Sequence, residues 1–314
     1  MPVTTSSTAT APQQPMGDFS DSRNGRKHKI LVAVFTGVPF LALAATVPMA
    51  WGKMLGWTDV VLFAVFYVLS AGGITVGYHR YFTHGSFKAA RPLRIFLAIA
   101  GGFALEGPVM NWVADHRRHH KFSDKEGDPH SPWKYGDDAK ALFKGLVWSH
   151  YGWLYADKAT NVDKYCKDLK SDKDMVLIHR FFGAIVAATF LLPAVIGGLV
   201  TWSWAGFFTA FFWAGLVRVT LVQHVTWSIN SICHTFGDTP FASRDRSRNV
   251  WWLAIPSLGE SWHNLHHADP TAARHGVLKG QIDISARIIW IFERLGWARD
   301  VRWPSAERLE ARRA

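Results

Sequence analysis

At 314 residues the chain has room for one large domain or two ordinary ones. Its residues are 49% hydrophobic and 14% aromatic, with 16 Trp and 21 Phe, which is heavy for a soluble domain and ordinary for a membrane protein with aromatic belts. On that background a net charge of +11 points away from nucleic acid and toward positive-inside topology, an anionic membrane surface or an acidic substrate, and two distant cysteines, Cys166 and Cys233, rule out a disulfide framework.

Residues 1 to 22 are rich in Ser, Thr, Ala and Pro and read as a disordered tail. The basic cluster Arg23, Arg26, Lys27 and Lys29 ends that tail, set here at 1–29. An apolar stretch from Ile30 to about Trp51 is long enough to span a bilayer, and a second runs from about Val60 to Tyr78. The link around Gly52 to Thr58 is only a turn, so the two predict a transmembrane hairpin. A third apolar stretch, Leu93 to Met110, is broken by Gly101, Gly102, Glu106, Gly107 and Pro108 and predicts a buried or interfacial helix. Residues 111 to 178 are polar and rich in His and Asp. A second hairpin follows, from Phe181 to Val200 and from Ala205 to about Val225. The remainder is polar and ends in an Arg/Glu-rich helix, with 296–314 set as a charged tail after a domain of 30–295.

The expected fold is therefore all-α: four transmembrane helices in two hairpins under a helical cap. The basic tail, Arg80, Arg91, segment 111–178 and the C-terminal region share one face, and the hairpin tips carry only Lys53. Lys/Arg asymmetry places the cap and both termini in the cytoplasm.

The histidines carry the chemistry. There are 15, and eight fall in three boxes: His79-Arg-Tyr-Phe-Thr-His84, His116-Arg-Arg-His119-His120 and His263-Asn-Leu-His266-His267. The second and third boxes have i, i+3, i+4 spacing, a narrow stripe on a helix that would converge on one point. In the first box the i, i+5 pair cannot share a face of a regular α-helix, so the helix should bend or end between His79 and His84. One box alone gives metal binding even odds. Eight imidazoles gathered without a metal would repel or leave polar groups unpaired, and neutral imidazole suits iron, zinc or copper. They are too many for one metal, so two are expected. His234 is a ninth candidate, on one helical face with Asn230 and Thr226; Asn230 would bind a metal directly or through water. From the residues alone Thr226 reads as a back-bonded hydroxyl. Asp115, Asp128, Glu260 and Asp269, beside the boxes, are candidates to orient the imidazoles; His130 is a candidate for a structural or orienting role. His28, His150, His179, His224 and His275 are expected to tolerate substitution. An all-imidazole set suits iron and dioxygen, the oxidant that removal of hydrogen from an alkyl chain needs.

These boxes resemble those of the membrane fatty acid desaturases, and the stearoyl-CoA desaturase branch most closely. The resemblance includes HRRHHKFSD followed by Gly127-Asp-Pro-His130, then Asn230-Ser-Ile-Cys-His234-Thr-Phe-Gly237 and Gly259-Glu-Ser-Trp-His-Asn-Leu-His-His267, and covers roughly residues 30 to 295. It implies a di-iron centre on His79, His84, His116, His119, His120, His234, His263, His266 and His267, with Asn230 through water. It implies an O2-dependent insertion of a cis double bond at the ninth and tenth carbons of a long-chain acyl-CoA lying in a bent tunnel. Trp112 and Thr226 would press the chain near the metals, with Glu106 where the family carries a kink-lining Gln and with Tyr78 and the Ala71-Gly72-Gly73 segment deeper in. Gly107-Pro108-Val109 and Ala114 replace polar residues that hold CoA in animal relatives, so an acyl-lipid or carrier-protein thioester stays open. With no His-Pro-Gly-Gly haem signature, electrons are expected from a separate reductase or ferredoxin. Lys121, Arg244, Arg246 and Arg248 could receive that donor or the CoA phosphates, or be a solvated positive-inside face. A related histidine-box hydroxylase is the nearest rival. A membrane metal store or transporter is disfavoured, because its ligands should lie within the spans.

Overall fold

The computed structural model describes residues 16–20 and 25–314; the remainder of the expected N-terminal tail, Arg23 included, lies outside the described residues. Four helices are long and apolar enough to cross a membrane: Gly25–Trp51, Trp57–Thr83, Phe182–Thr201 and Trp204–Ser231. They are numbered spans 1 to 4 here. The two expected hairpins are present. In the first, Lys53 takes a left-handed φ of 58° and the backbone N–H of Gly56 donates to Asp59 at 2.9 Å. In the second, Trp202 is left-handed and the Ser203 hydroxyl accepts from the N–H of Gly206 at 3.0 Å. Trp51, Trp57, Trp202 and Trp204 are all at least 77% exposed at these two tips, which is the aromatic belt of the far membrane face.

Small residues let the spans meet. A Cβ on Gly73 would lie 2.2 Å from the backbone of Ala100 and Gly101, so span 2 touches the Arg91–Gly102 helix backbone to backbone. One face of that helix and the turn after it are buried among the spans, while Phe96 and Ile99 on its other face are exposed. The turn is clamped by span 4. Arg218, fully buried, donates to the carbonyls of Phe103 at 2.6 Å and Thr189 at 2.9 Å, and Gln223 donates to the carbonyl of Leu105 at 3.2 Å. These bonds hold Leu105 at a φ of 62°, uncommon for a branched residue, and so fix where Glu106 begins.

The cap is built from Val109–Phe122, Ala139–His150, short helices between Val162 and Arg180, the irregular 232–262 segment, His263–Ala268 and Ile284–Arg294. Both segments expected as tails carry structure. Span 1 starts at Gly25, five residues before the expected Ile30, because Arg26, Lys27 and Lys29 can extend their charges outward from the first turn. Phe19–Ser20 pairs with Ala159–Thr160, and buried Asp18 takes Lys164 at 2.6 Å and the Tyr165 hydroxyl at 2.6 Å. At the other end Ala298–Arg299 pairs with Lys88–Ala89, and Arg308 and Arg312 dock on Asp269.

Candidate metal centre

Span 2 delivers the first box by changing its winding. Gly73–Thr83 is π-helical, and His84 caps it with its N–H on the carbonyl of His79 at 3.2 Å. A helix bonded i→i+5 stacks residues five apart, as an α-helix stacks those four apart. The helix widens and then ends at Thr83, between the two histidines as expected, and the rings of His79 and His84 lie 5.0 Å apart. The second box rides on Val109–Phe122. The third occupies the six-residue helix His263–Ala268, and His234 sits in the turns just beyond span 4.

The nine histidines form two groups, each offering one ring nitrogen apiece within 4.8 Å of the others. His79, His84, His116, His120 and His266 make one; His119, His234, His263 and His267 make the other. The i, i+3, i+4 stripes do not converge on single points. In each box the i, i+4 pair (His116 with His120, His263 with His267) faces one group, and the remaining member, His119 or His266, crosses to the other.

Outer nitrogens of four of these rings face carboxylates. His79 Nδ1 lies 2.6 Å from Glu260, His119 Nδ1 3.0 Å from Asp128, His234 Nδ1 2.8 Å from Asp124 and His267 Nδ1 2.5 Å from Asp245. Each carboxylate fixes its ring with the proton on Nδ1 and the Nε2 lone pair turned inward. The inward nitrogens then crowd one another: His79 and His266 at 3.0 Å, His120 and His266 at 2.9 Å, His263 and His267 at 3.0 Å, His234 and His263 at 3.2 Å. Lone pairs that close need a cation between them, so the residues fit a metal in each group. Burial, reinforced by repulsion from neighbouring rings, keeps His84, His116, His120, His263 and His266 well below the ordinary imidazole range. They are neutral, the state that ligates. Burial works the same way on His234, but the Asp124 carboxylate outweighs it and raises that ring to about 9 in the absence of a metal.

Of the carboxylates expected to orient rings, Asp128 and Glu260 lie against the Nδ1 atoms of His119 and His79. Asp269 does not: it is held by Arg308 at 2.5 Å and anchors the C-terminal segment. Asp115 accepts from the Thr160 hydroxyl at 2.5 Å. Asp124 and Asp245 were missed. Asp124 lies four residues after His120 but faces His234, and Asp245 is 22 residues before His267, so neither pairing follows from nearness to a box. His275, expected to be dispensable, is fully buried with its ring 4.7 Å from His266 and its Nδ1 3.4 Å from Glu260. His130 stacks on His119 at 4.4 Å, with its backbone N–H on Asp128. His150 and His224 bond each other at 2.9 Å, His28 meets the carbonyl of Leu154, and His179 is half-buried.

Two cavities meet beside the metal groups. The inner one is lined by Tyr67, Ala71, Ile74, Thr75, Val222 and Pro256 among others, and the outer one by Leu31, Phe35, Glu106, Trp153 and Val186 among others. Both share Trp112, His116, Thr226 and Asn230, so they adjoin one another beside the histidines. Trp112 stacks on His116 at 4.9 Å and donates its indole N–H to Glu106 at 3.0 Å. Burial pushes the Glu106 carboxyl up to about 8, although bonds from Trp112 and Thr226 pull the other way. Tyr78 lines neither cavity; its ring lies 5.8 Å from Trp112 and its hydroxyl donates to Ala98, so it supports Trp112 from behind. Gly72 and Gly73 also point elsewhere, and it is Ala71 that lines the inner cavity. On the cap, Lys121 is engaged by Asp18, Arg246 by Asp137 and Arg248 by the carbonyl of Gly237, while Arg244 is exposed.

Comparisons with known proteins agree with this geometry. The chain is 38% identical over 289 residues to the hex-5-enoyl-[acyl-carrier protein] acetylenase of Moorena producens, covering 91% of this chain and 89% of that one. It is 35% identical to the sn-1 stearoyl-lipid 9-desaturase of Synechocystis sp., covering 87% and 80%, and 35% identical to an acyl-CoA 5-desaturase of Anemone leveillei, covering 88% and 79%. Residues 55–277, which hold the second span, all three boxes and His234, match the family model for fatty acid desaturases, and the chain belongs to that family.

Proposed function

We propose that this protein inserts a cis double bond, at the ninth carbon, into a saturated long-chain acyl-CoA. The co-substrate is dioxygen, and two electrons come from a separate reductase or ferredoxin. Two iron ions fill the two histidine groups, with Asn230 joining through water. The balance is one acyl chain, O2, two electrons and two protons in, and one alkene and two waters out. The observation that carries the reading is the pair of inward-facing imidazole groups lying beside the residues that two largely apolar cavities share.

Iron in those groups supplies the dioxygen chemistry that an unactivated C–H bond requires. The chain's own residues do the rest. Glu260, Asp128, Asp124 and Asp245 hold ring tautomers, so the ligand lone pairs are aimed before substrate arrives. Trp112, Thr226 and Glu106 narrow the tunnel where it passes His116, which fixes which carbons stop there. The apolar walls exclude water from the reacting carbons.

Three carriers appear in the relatives' names, and the coenzyme A reading rests on what adjoins the tunnel. A polar chamber lined by Arg118, Lys125, Lys134 and Lys158 shares Asp115 and Trp153 with the outer cavity. Its four cations are the groups that would meet phosphates, and they stand among five carboxylates, Asp115, Asp124, Glu126, Asp128 and Asp157. Lys/Arg bias of the cap supports a cytoplasmic active site and cytoplasmic termini. Expression in a desaturase-deficient host with fatty-acid profiling tests the reaction: products lighter by two mass units support desaturation, and products heavier by sixteen would show a hydroxylase. Assay of the purified iron-loaded enzyme with stearoyl-CoA, stearoyl-carrier protein and stearoyl-lipid decides the carrier.

A further inference from the structure

The Ile284–Arg294 helix packs one face on span 2 and leaves the other uncovered. Its Ser285 hydroxyl donates to Thr75 at 2.7 Å, and Ile288 lies against Gly72. A bilayer core takes about 20 helical residues. Counted from Trp57 at the far face, the near boundary falls close to Gly77. The helix therefore lies along the boundary between bilayer and cap, where headgroups are.

Its uncovered face is not an ordinary solvated one. Arg287, Trp290, Ile291 and Arg294 follow at i, i+3, i+4 and i+7, all exposed, with the Arg294 guanidinium 5.2 Å from the Trp290 ring centroid. A groove runs beside this stripe, and Arg274 and Lys279 complete its basic rim. Ile282, 55% exposed, and Trp290, 44% exposed, give the same groove an apolar floor. Of the two acids lining the groove, Asp283 is turned inward onto Arg80 at 3.0 Å, and Glu293, held by the Trp303 indole at 2.9 Å, leaves the four cations in excess. Among the described residues none of the four cations has a carboxylate partner. Four unmatched cations around exposed Trp and Ile at headgroup level are complementary to a phosphate with acyl chains below it.

We propose that this groove binds an anionic phospholipid of the leaflet facing the cap, at a site separate from the acyl tunnel. The lipid phosphate sits among Arg287, Arg294, Arg274 and Lys279, and its chains lie over Ile282 and Trp290. The site would tie the cap to the membrane through the helix that braces span 2 below the first box.

Native mass spectrometry of the iron-loaded full chain tests this, after incubation with equal amounts of phosphatidylglycerol and phosphatidylcholine of identical acyl chains. Wild type should retain phosphatidylglycerol in clear excess. R287Q/R294Q should lose that excess, and the charge-matched control K140Q/R244Q, at exposed cations outside the groove, should keep it. Phosphatidylglycerol brominated in its chains should quench wild-type fluorescence more than that of Trp290→Phe. Equal loss in both double variants would show only diffuse charge attraction and overturn the site. Displacement of the lipid by glycerol phosphate at matched concentration would show a soluble-phosphate site and overturn the lipid assignment.

Discussion

Asp245 holds His267 from a loop, Oδ2 to Nδ1 at 2.5 Å, although 22 residues separate them and no other box residue is on that loop. Proximity to His267 keeps the Asp245 carboxyl far below the usual range despite its burial. Asp245→Asn keeps the shape and can no longer enforce the Nδ1–H tautomer. Metal affinity or turnover should fall roughly 10–100-fold, the usual cost of losing such a partner. Asp269→Asn should leave metal content at the wild-type level, because Asp269 grips Arg308 and no imidazole. Iron content by mass spectrometry and turnover on the same preparations check both.

The contrast shows what was legible. Hydropathy carried the four spans and both hairpins, and histidine spacing with the family resemblance picked out the nine histidines that the fold gathers, because helix periodicity and bilayer thickness leave few alternatives. Nearness in sequence was an uneven guide to the acids that face imidazoles: it selected Asp128 and Glu260, also selected Asp269, which grips Arg308, and missed Asp124 and Asp245. Those contacts are set by how loop 232–262 folds back over the Val109–Phe122 helix, which no local pattern encodes. The split of each histidine stripe between two groups was hidden for the same reason. A stripe records which face of a helix the rings share, and only the packing of three helices tells which ring crosses over.

His275 and His150 separate the buried from the merely present. His119→Ala should abolish turnover, since the ligands act as a unit. His275→Gln should lower turnover severely, because its ring packs on His266 and faces the Glu260 carboxylate that holds His79. His150→Gln should retain most activity: its partners are His224 and Ser231, outside both groups. Near-normal activity of His275→Gln, with wild-type iron content, would remove His275 from the site.

Glu106 gives the protein a pH signature. Its carboxyl is ordinary when unfolded, near 4.5, and raised to about 8 when folded, chiefly by burial. Between those values the folded state keeps a proton that the unfolded state has lost. Stability contributed at this position is therefore fully present below pH 4.5 and falls as pH rises toward about 8. Glu106→Gln removes the titration and keeps both polar ends, one to accept from Trp112 and one to meet Thr226. Thermal unfolding of the iron-loaded proteins should show Glu106→Gln gaining on wild type as pH rises across that window. A constant difference at every pH would place the Glu106 proton elsewhere.

Tunnel depth follows from which small residue faces the lumen. Ala71 lines the inner cavity, and one turn before it on span 2 Tyr67, also in the lining, donates its hydroxyl to the carbonyl of Pro256 at 2.6 Å. Ala71→Leu should shift preference toward shorter acyl chains, read by competition between chains of different length. Gly73→Ala should fail differently, with loss of folded protein, because its new Cβ has only the Ala100–Gly101 backbone to enter.

The position of the double bond should depend on Trp112. A saturated chain has no feature that marks one carbon, so the protein must stop it at a fixed length from its head. Trp112 is suited to this by three contacts at once. Its ring lies flat on His116, so it reports the position of one metal group; its indole N–H is fixed by Glu106; and Tyr78 packs behind it. Thr226 lines the same stretch of both cavities. Trp112→Ala removes the wall and leaves the metal ligands in place. Iron content should stay at the wild-type level while turnover drops and the double bond scatters to neighbouring carbons. Glu106→Ala should scatter it less, since Trp112 keeps its stacking on His116 and its support from Tyr78. Product location by mass spectrometry of derivatised alkenes reads both. A single unchanged position at the wild-type rate in Trp112→Ala would move the regioselective contact away from this bend, to the head-group end or the inner end of the tunnel.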